Sequence, residues 1–249
     1  MTENTQKIAL VTGAAGGLGS YITKKLHADG HKVVVTGLSV EPLKALASEL
    51  SSDGSTAMPL QLDVSHKDNF LNALDHVQDV WGTPSILVNN AAVTRAANVL
   101  ELNTEEFDEV LTTNVNSIFF GCQVFGKAMA EQGYGRIVNQ ASLAGHNGGT
   151  ATGAHYAASK GAILTTTKIF AREFAGSGVT VNAISPGPHD VDIVHKTVSD
   201  RLDQIIEGIP VKQLGNPQFI ANTVSLLTQP EASFVTGACW DINGGLYLR

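Results

Sequence analysis

Short apolar runs rich in β-branched residues alternate with longer stretches of helical period, and this alternation constrains the fold more than any other feature of the chain. The runs are Ile8–Val11, Lys32–Thr36, Thr56–Gln61, Ser85–Val88, Arg136–Asn139 and Val179–Ile184. Between and after them, helical period predicts helices over 18–29, 41–52, 66–81, 104–131, 155–176 and 217–228. Several of the strands are apolar along their whole length, so both of their faces must be buried. Repeated β-α-β units with such strands imply a doubly wound parallel sheet covered by helices on each side, an α/β fold. No repeat, low-complexity tract or Pro/Ser-rich linker interrupts the pattern, so residues 1–249 are expected to form one domain. The irregular zone is 186–210, which opens with Pro186-Gly187-Pro188-His189 and closes with Gly208-Ile209-Pro210. A segment of that kind beyond the carboxyl end of a strand is expected to act as a lid over a binding site.

Composition excludes several classes of partner. The formal net charge is −7, and no Lys/Arg run exceeds the pair Lys24-Lys25, which leaves no electrostatic footprint for nucleic acid or an anionic membrane. The two cysteines, Cys122 and Cys239, are far apart and form no C-x-x-C; they are expected to be small core residues in a reducing compartment. The polar start, Met1 to Lys7, resembles neither a signal peptide nor a membrane span, and the expected location is cytoplasmic. Eight histidines lack metal-ligand spacing such as H-E-x-x-H, so no metal is expected. His155 and His189 stand out, one before a tyrosine of interest and the other in the expected lid. Either could touch a substrate, although solvent exposure is the ordinary role of such residues.

The first strand runs into Thr12-Gly13-Ala14-Ala15-Gly16-Gly17-Leu18-Gly19 and then directly into a helix. Glycines in this position permit a tight turn, let backbone N–H groups approach a pyrophosphate and allow close helix–strand packing. Glycines also end strands for purely steric reasons, so the turn gains weight only from its position. A second constellation is Tyr156 and Lys160, four apart on one helical face, with Ser142 and Asn114 upstream. A lysine ammonium beside a phenol favours phenolate, and a tyrosine so tuned can donate a proton to a carbonyl oxygen or accept one from an alcohol. Ser142 can add a hydrogen bond to the oxygen as charge develops there. A hydrolase based on Ser142 and His155 is disfavoured because no G-x-S-x-G elbow surrounds the serine.

Taken in order, T-G-x-x-x-G-x-G at Thr12, Gly13, Gly17 and Gly19, Asp63-Val64, Asn89-Asn90-Ala91-Ala92, Asn114, Ser142, Tyr156-x-x-x-Lys160, Ser185-Pro186-Gly187 and the closing Asp241-Ile242-Asn243-Gly244-Gly245 resemble the short-chain dehydrogenase/reductase family over essentially the whole chain. The resemblance implies a Rossmann-like sheet of seven strands in the order 3-2-1-4-5-6-7 and a hydride transfer between a nicotinamide dinucleotide and a small ketone or secondary alcohol. It implies catalytic roles for Asn114, Ser142, Tyr156 and Lys160, with Asn114 anchoring a water that resupplies the proton. Cofactor contacts are implied for Thr12, Gly13, Gly17, Leu18 and Gly19 at the turn, for Leu38 after the second strand, for Asp63 and Val64 at the adenine, and for Asn89 and Ala91 along the cleft. Lys160 would hold the nicotinamide ribose beside Tyr156, and Pro186 and Gly187 would border the nicotinamide. A homotetramer or homodimer built through 104–131, 155–176 and the C-terminal stretch is also implied.

This chain departs from the family pattern in places. Ala92 stands where the family commonly has Gly, the Ser142-to-Tyr156 interval is one residue longer than the commonest spacing, and the intervening Gly145–Gly153 is rich in Gly and Thr. His189 and Val191 replace an aliphatic residue and a threonine near the nicotinamide amide. After the second strand, Gly37, Leu38 and Ser39 provide neither an acid for the ribose diol of NAD(H) nor an arginine for the 2′-phosphate of NADP(H). Since no counter-charge for a phosphate is present, NAD(H) is favoured and NADP(H) stays open. The expected activity is general ketone reduction or secondary-alcohol oxidation. Ile209–Gly215 and Asn243–Leu246 resemble 3-oxoacyl-thioester reductases of the acetoacetyl-CoA type, the alternative, and a non-catalytic nucleotide-binding protein is the rival from another class.

Overall fold

In a computed structural model, which describes residues 6–149, 152–198 and 201–249, the predicted alternation resolves into one seven-stranded sheet. The strands are β1 (Ile8–Val11), β2 (Lys32–Gly37), β3 (Ala57–Gln61), β4 (Ile86–Asn89), β5 (Gly135–Gln140), β6 (Val179–Pro186) and β7 (Cys239–Ile242). Every pairing is parallel, in the order β3-β2-β1-β4-β5-β6-β7, as the family resemblance implies. The helices are α1 (Gly17–Ala28), α2 (Val40–Leu50), α3 (Lys67–Val80), α4 (Thr104–Leu111), α5 (Ser117–Glu131), α6 (Ala144–Asn147), α7 (Ala154–Phe174), α8 (Asp192–Val198), α9 (Leu202–Gly208) and α10 (Pro217–Thr228).

The apolar strands are buried from both sides by a simple alternation. Leu10, Val34, Leu87, Ile137 and Val181 point to one face and pack with Phe70, Phe125 and Ile163 of α3, α5 and α7. Their neighbours Val11, Val33, Val35, Val88 and Val138 point to the other, against Ile22 and Leu26 of α1, Leu43 of α2 and Val224 of α10. At roughly 1.5–3 kcal/mol per fully buried aliphatic or aromatic side chain, these two clusters are the main stabilising term of the fold. Among the described residues, no helix is long and apolar enough to cross a membrane.

Where the structure departs from sequence expectation it does so locally. The predicted helix over 104–131 is two helices joined by a π-helical turn, Thr112–Asn116, so one extra residue is accommodated midway. The expected lid contains two short helices, α8 and α9; Ser199 and Asp200 within it lie outside the described residues, as do Thr150 and Ala151 of the Gly/Thr-rich stretch and the first five residues of the chain. Cys122 is a core residue as expected, whereas Cys239 lies on the edge strand β7 and is only partly covered, because among the described residues no further strand pairs beyond it.

Candidate active site

Strand order reverses between β1 and β4, and a crevice opens at their carboxyl ends, where doubly wound sheets take their ligands. Four hydrogen bonds hold that point together. The Thr12 hydroxyl accepts from the backbone N–H of Asn90 (2.9 Å) and of Ala91 (3.0 Å), while the Asn90 amide donates to the carbonyls of Thr12 (2.9 Å) and Gly13 (3.0 Å). Replacing Thr12 by the isosteric Val removes one acceptor and strands two N–H donors. The expected loss is about 2 kcal/mol of unfolding free energy, together with weaker dinucleotide binding, read from urea denaturation and cofactor fluorescence titration.

The glycine turn has the geometry its sequence suggests. Gly13 (φ 63°) and Gly17 (φ 46°) occupy the left-handed region, and a Cβ on Gly19 would collide with the Gly13 carbonyl. Gly16 caps α1 without a side chain, so the first N–H groups of the helix face open space above Gly16 and Gly17, where a Cβ would meet nothing within 4 Å. An uncapped helix N-terminus of this kind fits the pyrophosphate of a dinucleotide.

The turn shares one cleft of about 840 Å³ with Asn90, Ser142, Tyr156 and Gly187, and Val191, Val194, Arg201 and Ile205, which follow β6, form its outer wall. Ala92 also lines the cleft; it avoids the left-handed region, so its methyl group is accommodated without backbone strain.

Tyr156 and Lys160 project from α7 toward the end of β5. The Lys160 ammonium donates to the Gln140 carbonyl (2.7 Å) and lies 5.5 Å from the centre of the Tyr156 ring. Its side chain is buried, and burial alone brings its pKa down to about 7. Burial pushes the Tyr156 phenol up, while the Ser142 hydroxyl beside it pulls the other way. Desolvation sets the direction of the shift at both groups.

Asn114 sits in the π-helical turn and is completely buried. Its side-chain oxygen accepts from the Val93 N–H (2.8 Å), and its amide donates to the Val93 carbonyl (2.9 Å) and the Ser159 hydroxyl (3.0 Å). Ser159 in turn donates to the Tyr156 carbonyl (2.7 Å), so Asn114 ties the chain beyond β4 to the turn of α7 that carries the tyrosine. Its side chain is thus engaged by protein groups, which makes it a strut for Tyr156.

Other sequence-predicted residues divide into those at the cleft and those beside it. Leu18, Ala91, Pro186 and Gly187 line the cleft. Asn89 does not: its amide donates to Asn139 (2.9 Å) inside the sheet, and a Cβ on Gly121 would meet its oxygen, so it braces β4 against β5 and α5 while Asn90 faces the crevice. Val64 is buried in the core. The Asp63 carboxylate accepts from the Ser65 N–H (2.9 Å) and hydroxyl (2.6 Å), bonds that hold it ionised below the usual carboxylate range. Leu38 is 62% exposed, and its carbonyl accepts from Gln61 (2.9 Å) across the β2–β3 edge.

Both histidines singled out in the sequence are buried, which corrects the expectation of solvent exposure. His155, in the first turn of α7, is enclosed with Nε2 3.5 Å from a Glu106 carboxylate oxygen, and stays out of the cleft. His189 does line the cleft; its Nδ1 lies 2.8 Å from the Gly187 carbonyl and therefore carries the proton, leaving Nε2 as an acceptor. Sequence reasoning missed Gln140, Ser159 and Val93, which act through hydroxyl or backbone groups that carry no sequence signal.

Comparison with known proteins agrees with this geometry. A family model described as enoyl-(acyl carrier protein) reductase matches residues 13–247. The 3-oxoacyl-(acyl-carrier-protein) reductase FabG of Escherichia coli strain K12 is 35% identical over 244 residues, covering 97% of this chain and 98% of that protein. The chain is a short-chain dehydrogenase/reductase. FabG reductases of Staphylococcus epidermidis (34% over 243 residues, 97% of this chain and 99% of theirs) and Pseudomonas aeruginosa (34% over 242 residues, 97% and 98%) are similar throughout. As a short-chain dehydrogenase/reductase it is an oxidoreductase acting on CH–OH/C=O groups with NAD(P)(H).

Proposed function

We propose that the chain reduces the 3-oxo group of an acyl thioester to the 3-hydroxy form, drawing the hydride from a bound nicotinamide. The observation that carries this reading is the near-full-length similarity to three FabG reductases whose names specify 3-oxoacyl substrates. It replaces the general ketone reductase as the main reading. The apolar outer wall, Val191, Val194, Ile205 and Leu246, suits an acyl chain, and Arg201 is the charged side chain on that wall.

When bound in the cleft, a nicotinamide dinucleotide would supply the hydride for the carbonyl carbon. Tyr156 donates its phenolic proton to the oxygen, Ser142 donates a hydrogen bond to the same oxygen, and Lys160 holds the ribose and returns positive charge beside the phenol. The test is the initial rate of NADH and NADPH oxidation with acetoacetyl-CoA, a longer 3-oxoacyl thioester, and free alkyl, aryl and di-ketones. Turnover at least tenfold faster for the thioesters supports the reading; preference for free ketones restores the general reductase, and silence with every substrate favours the non-catalytic binder.

For the cofactor we infer NAD(H), because neither the glycine turn nor Gly37–Ser39 carries a cation for a 2′-phosphate. Introducing one should reverse the choice. Leu38→Arg sets a guanidinium at an exposed position directly after β2, and a charge-assisted contact worth about 1.5–3 kcal/mol shifts the NADPH/NADH ratio of kcat/KM upward about 10- to 100-fold. An unchanged ratio would place the ribose elsewhere.

We also infer self-association through α5 and α7. Phe119 (43% exposed) and Ile169 (51%) present apolar surface there, with Phe119 tilted against Phe170 at 5.5 Å. Light scattering is expected to give a dimer or tetramer mass; a stable monomer contradicts it.

A further inference from the structure

Behind the catalytic serine, two segments distant in sequence bring three side chains to a single point. His146 comes from α6, immediately after Ser142; Cys239 and Asp241 come from β7. His146 Nε2 is 3.1 Å from Asp241 Oδ1, Cys239 Sγ is 3.8 Å from His146 Nε2, and Cys239 Sγ is 3.8 Å from the same Asp241 oxygen. We propose that these three side chains bind a zinc ion, which would clamp the Ser142 loop to the edge strand of the sheet.

Bond geometry carries the argument. With Zn–N and Zn–O lengths of about 2.0–2.1 Å and Zn–S of about 2.3 Å, tetrahedral angles put ligand atoms about 3.3 Å apart for an N,O pair and about 3.6 Å for pairs that include sulfur. The observed triangle of 3.1, 3.8 and 3.8 Å departs from this by about 0.2 Å per edge, so an ion can cap it without moving the backbone. The donor set is imidazole, thiol and carboxylate, which suits a borderline-soft tetrahedral ion and poorly suits magnesium or calcium. On binding, the thiol proton leaves to solvent and a water completes the fourth position.

The surroundings orient the ligands. Tyr247 stacks on the His146 ring (centroids 4.8 Å apart, 13° between planes) and fixes its orientation, while the Arg249 guanidinium donates closely to Asp241 Oδ2 (2.5 Å) and more distantly to Oδ1 (3.4 Å), the oxygen that also faces the histidine and cysteine. Arg249 also competes electrostatically with a cation. A hydrogen-bonded His–Asp–Arg cluster is the rival explanation of the same geometry.

Two titrations of the chelator-treated full chain separate them. Calorimetry with Zn²⁺ should give one equivalent per chain, and Co²⁺ should give tetrahedral d–d bands with a thiolate-to-cobalt charge-transfer band. Cys239→Ser should abolish the charge-transfer band, and Cys239→Ser and His146→Gln should each weaken zinc binding by at least about 100-fold. Cys122→Ala should keep the band, and Arg249→Ala should tighten binding by up to about fivefold. Circular dichroism checks the folding of each variant, and if Cys239→Ser does not fold, His146→Gln decides. Absence of saturable binding, or affinity unchanged in the folded variants, overturns the site in favour of the hydrogen-bonded cluster. Neither readout uses turnover, so the outcome is independent of the substrate reading.

Discussion

Tyr156→Phe should lower thioester turnover by about 10²- to 10⁴-fold, the range that a positioned proton donor contributes, while leaving dinucleotide affinity within about threefold. The substitution removes one hydroxyl and keeps the ring that lies 5.5 Å from the Lys160 ammonium. Its effect is therefore on the proton and not on the cleft. Single-turnover stopped-flow kinetics with saturating cofactor isolates the chemical step, and kcat should fall with KM little changed. A variant retaining more than about a tenth of the wild-type rate would remove Tyr156 from the mechanism.

Lys160→Met should combine a large loss of turnover, about 10²-fold or more, with a gain in stability at neutral and acidic pH. The lysine pKa of about 7 in the folded protein lies below the model-peptide value of 10.5, so between these values the folded state binds fewer protons than the unfolded one. Stability contributed by this group therefore rises as pH rises from about 7 toward 10.5, and the whole penalty, a few kcal/mol, is present below 7. Methionine removes that penalty but strands the Gln140 carbonyl, which loses the 2.7 Å bond it accepts. Urea midpoints should thus favour the variant at about pH 6 and converge or reverse at about pH 9. Parallel curves for the two proteins would mean that Lys160 is solvated and ordinary.

Sequence reasoning located most of this machinery because its signals are local. Six strands were legible as short runs, since a parallel sheet buries both faces, whereas β7 was implied only by the family resemblance; α10 was legible to the residue, with Asn216 capping it and Pro217 opening it. The break between α4 and α5 was not. Thr112–Asn116 keeps a helical pattern, and nothing in a one-residue widening of the turn changes which side chains are apolar. The burial of His155 and His189 also escaped, because a polar side chain next to a motif carries no signal of whether glycines such as Gly153 and Gly215 clear space for its ring. The His146–Cys239–Asp241 cluster lay still further from view. It depends on β7 pairing with β6 and on where a four-residue helix comes to rest, and both are outcomes of the finished fold.

The reversal of strand order divides labour as well as topology. Everything that would grip the adenosine end hangs from β1, β2 and β3, and everything that would meet the substrate hangs from β4, β5, β6 and β7. Beyond the β1–β4 ladder, the two halves are joined at the crevice by the Thr12–Asn90 contacts. On the proposed reading, selection on Leu38 would retune which dinucleotide enters without disturbing the wall around Val191 and Ile205, and drift in that wall would leave the dinucleotide grip intact. Such a molecule can change its currency and its cargo in separate steps.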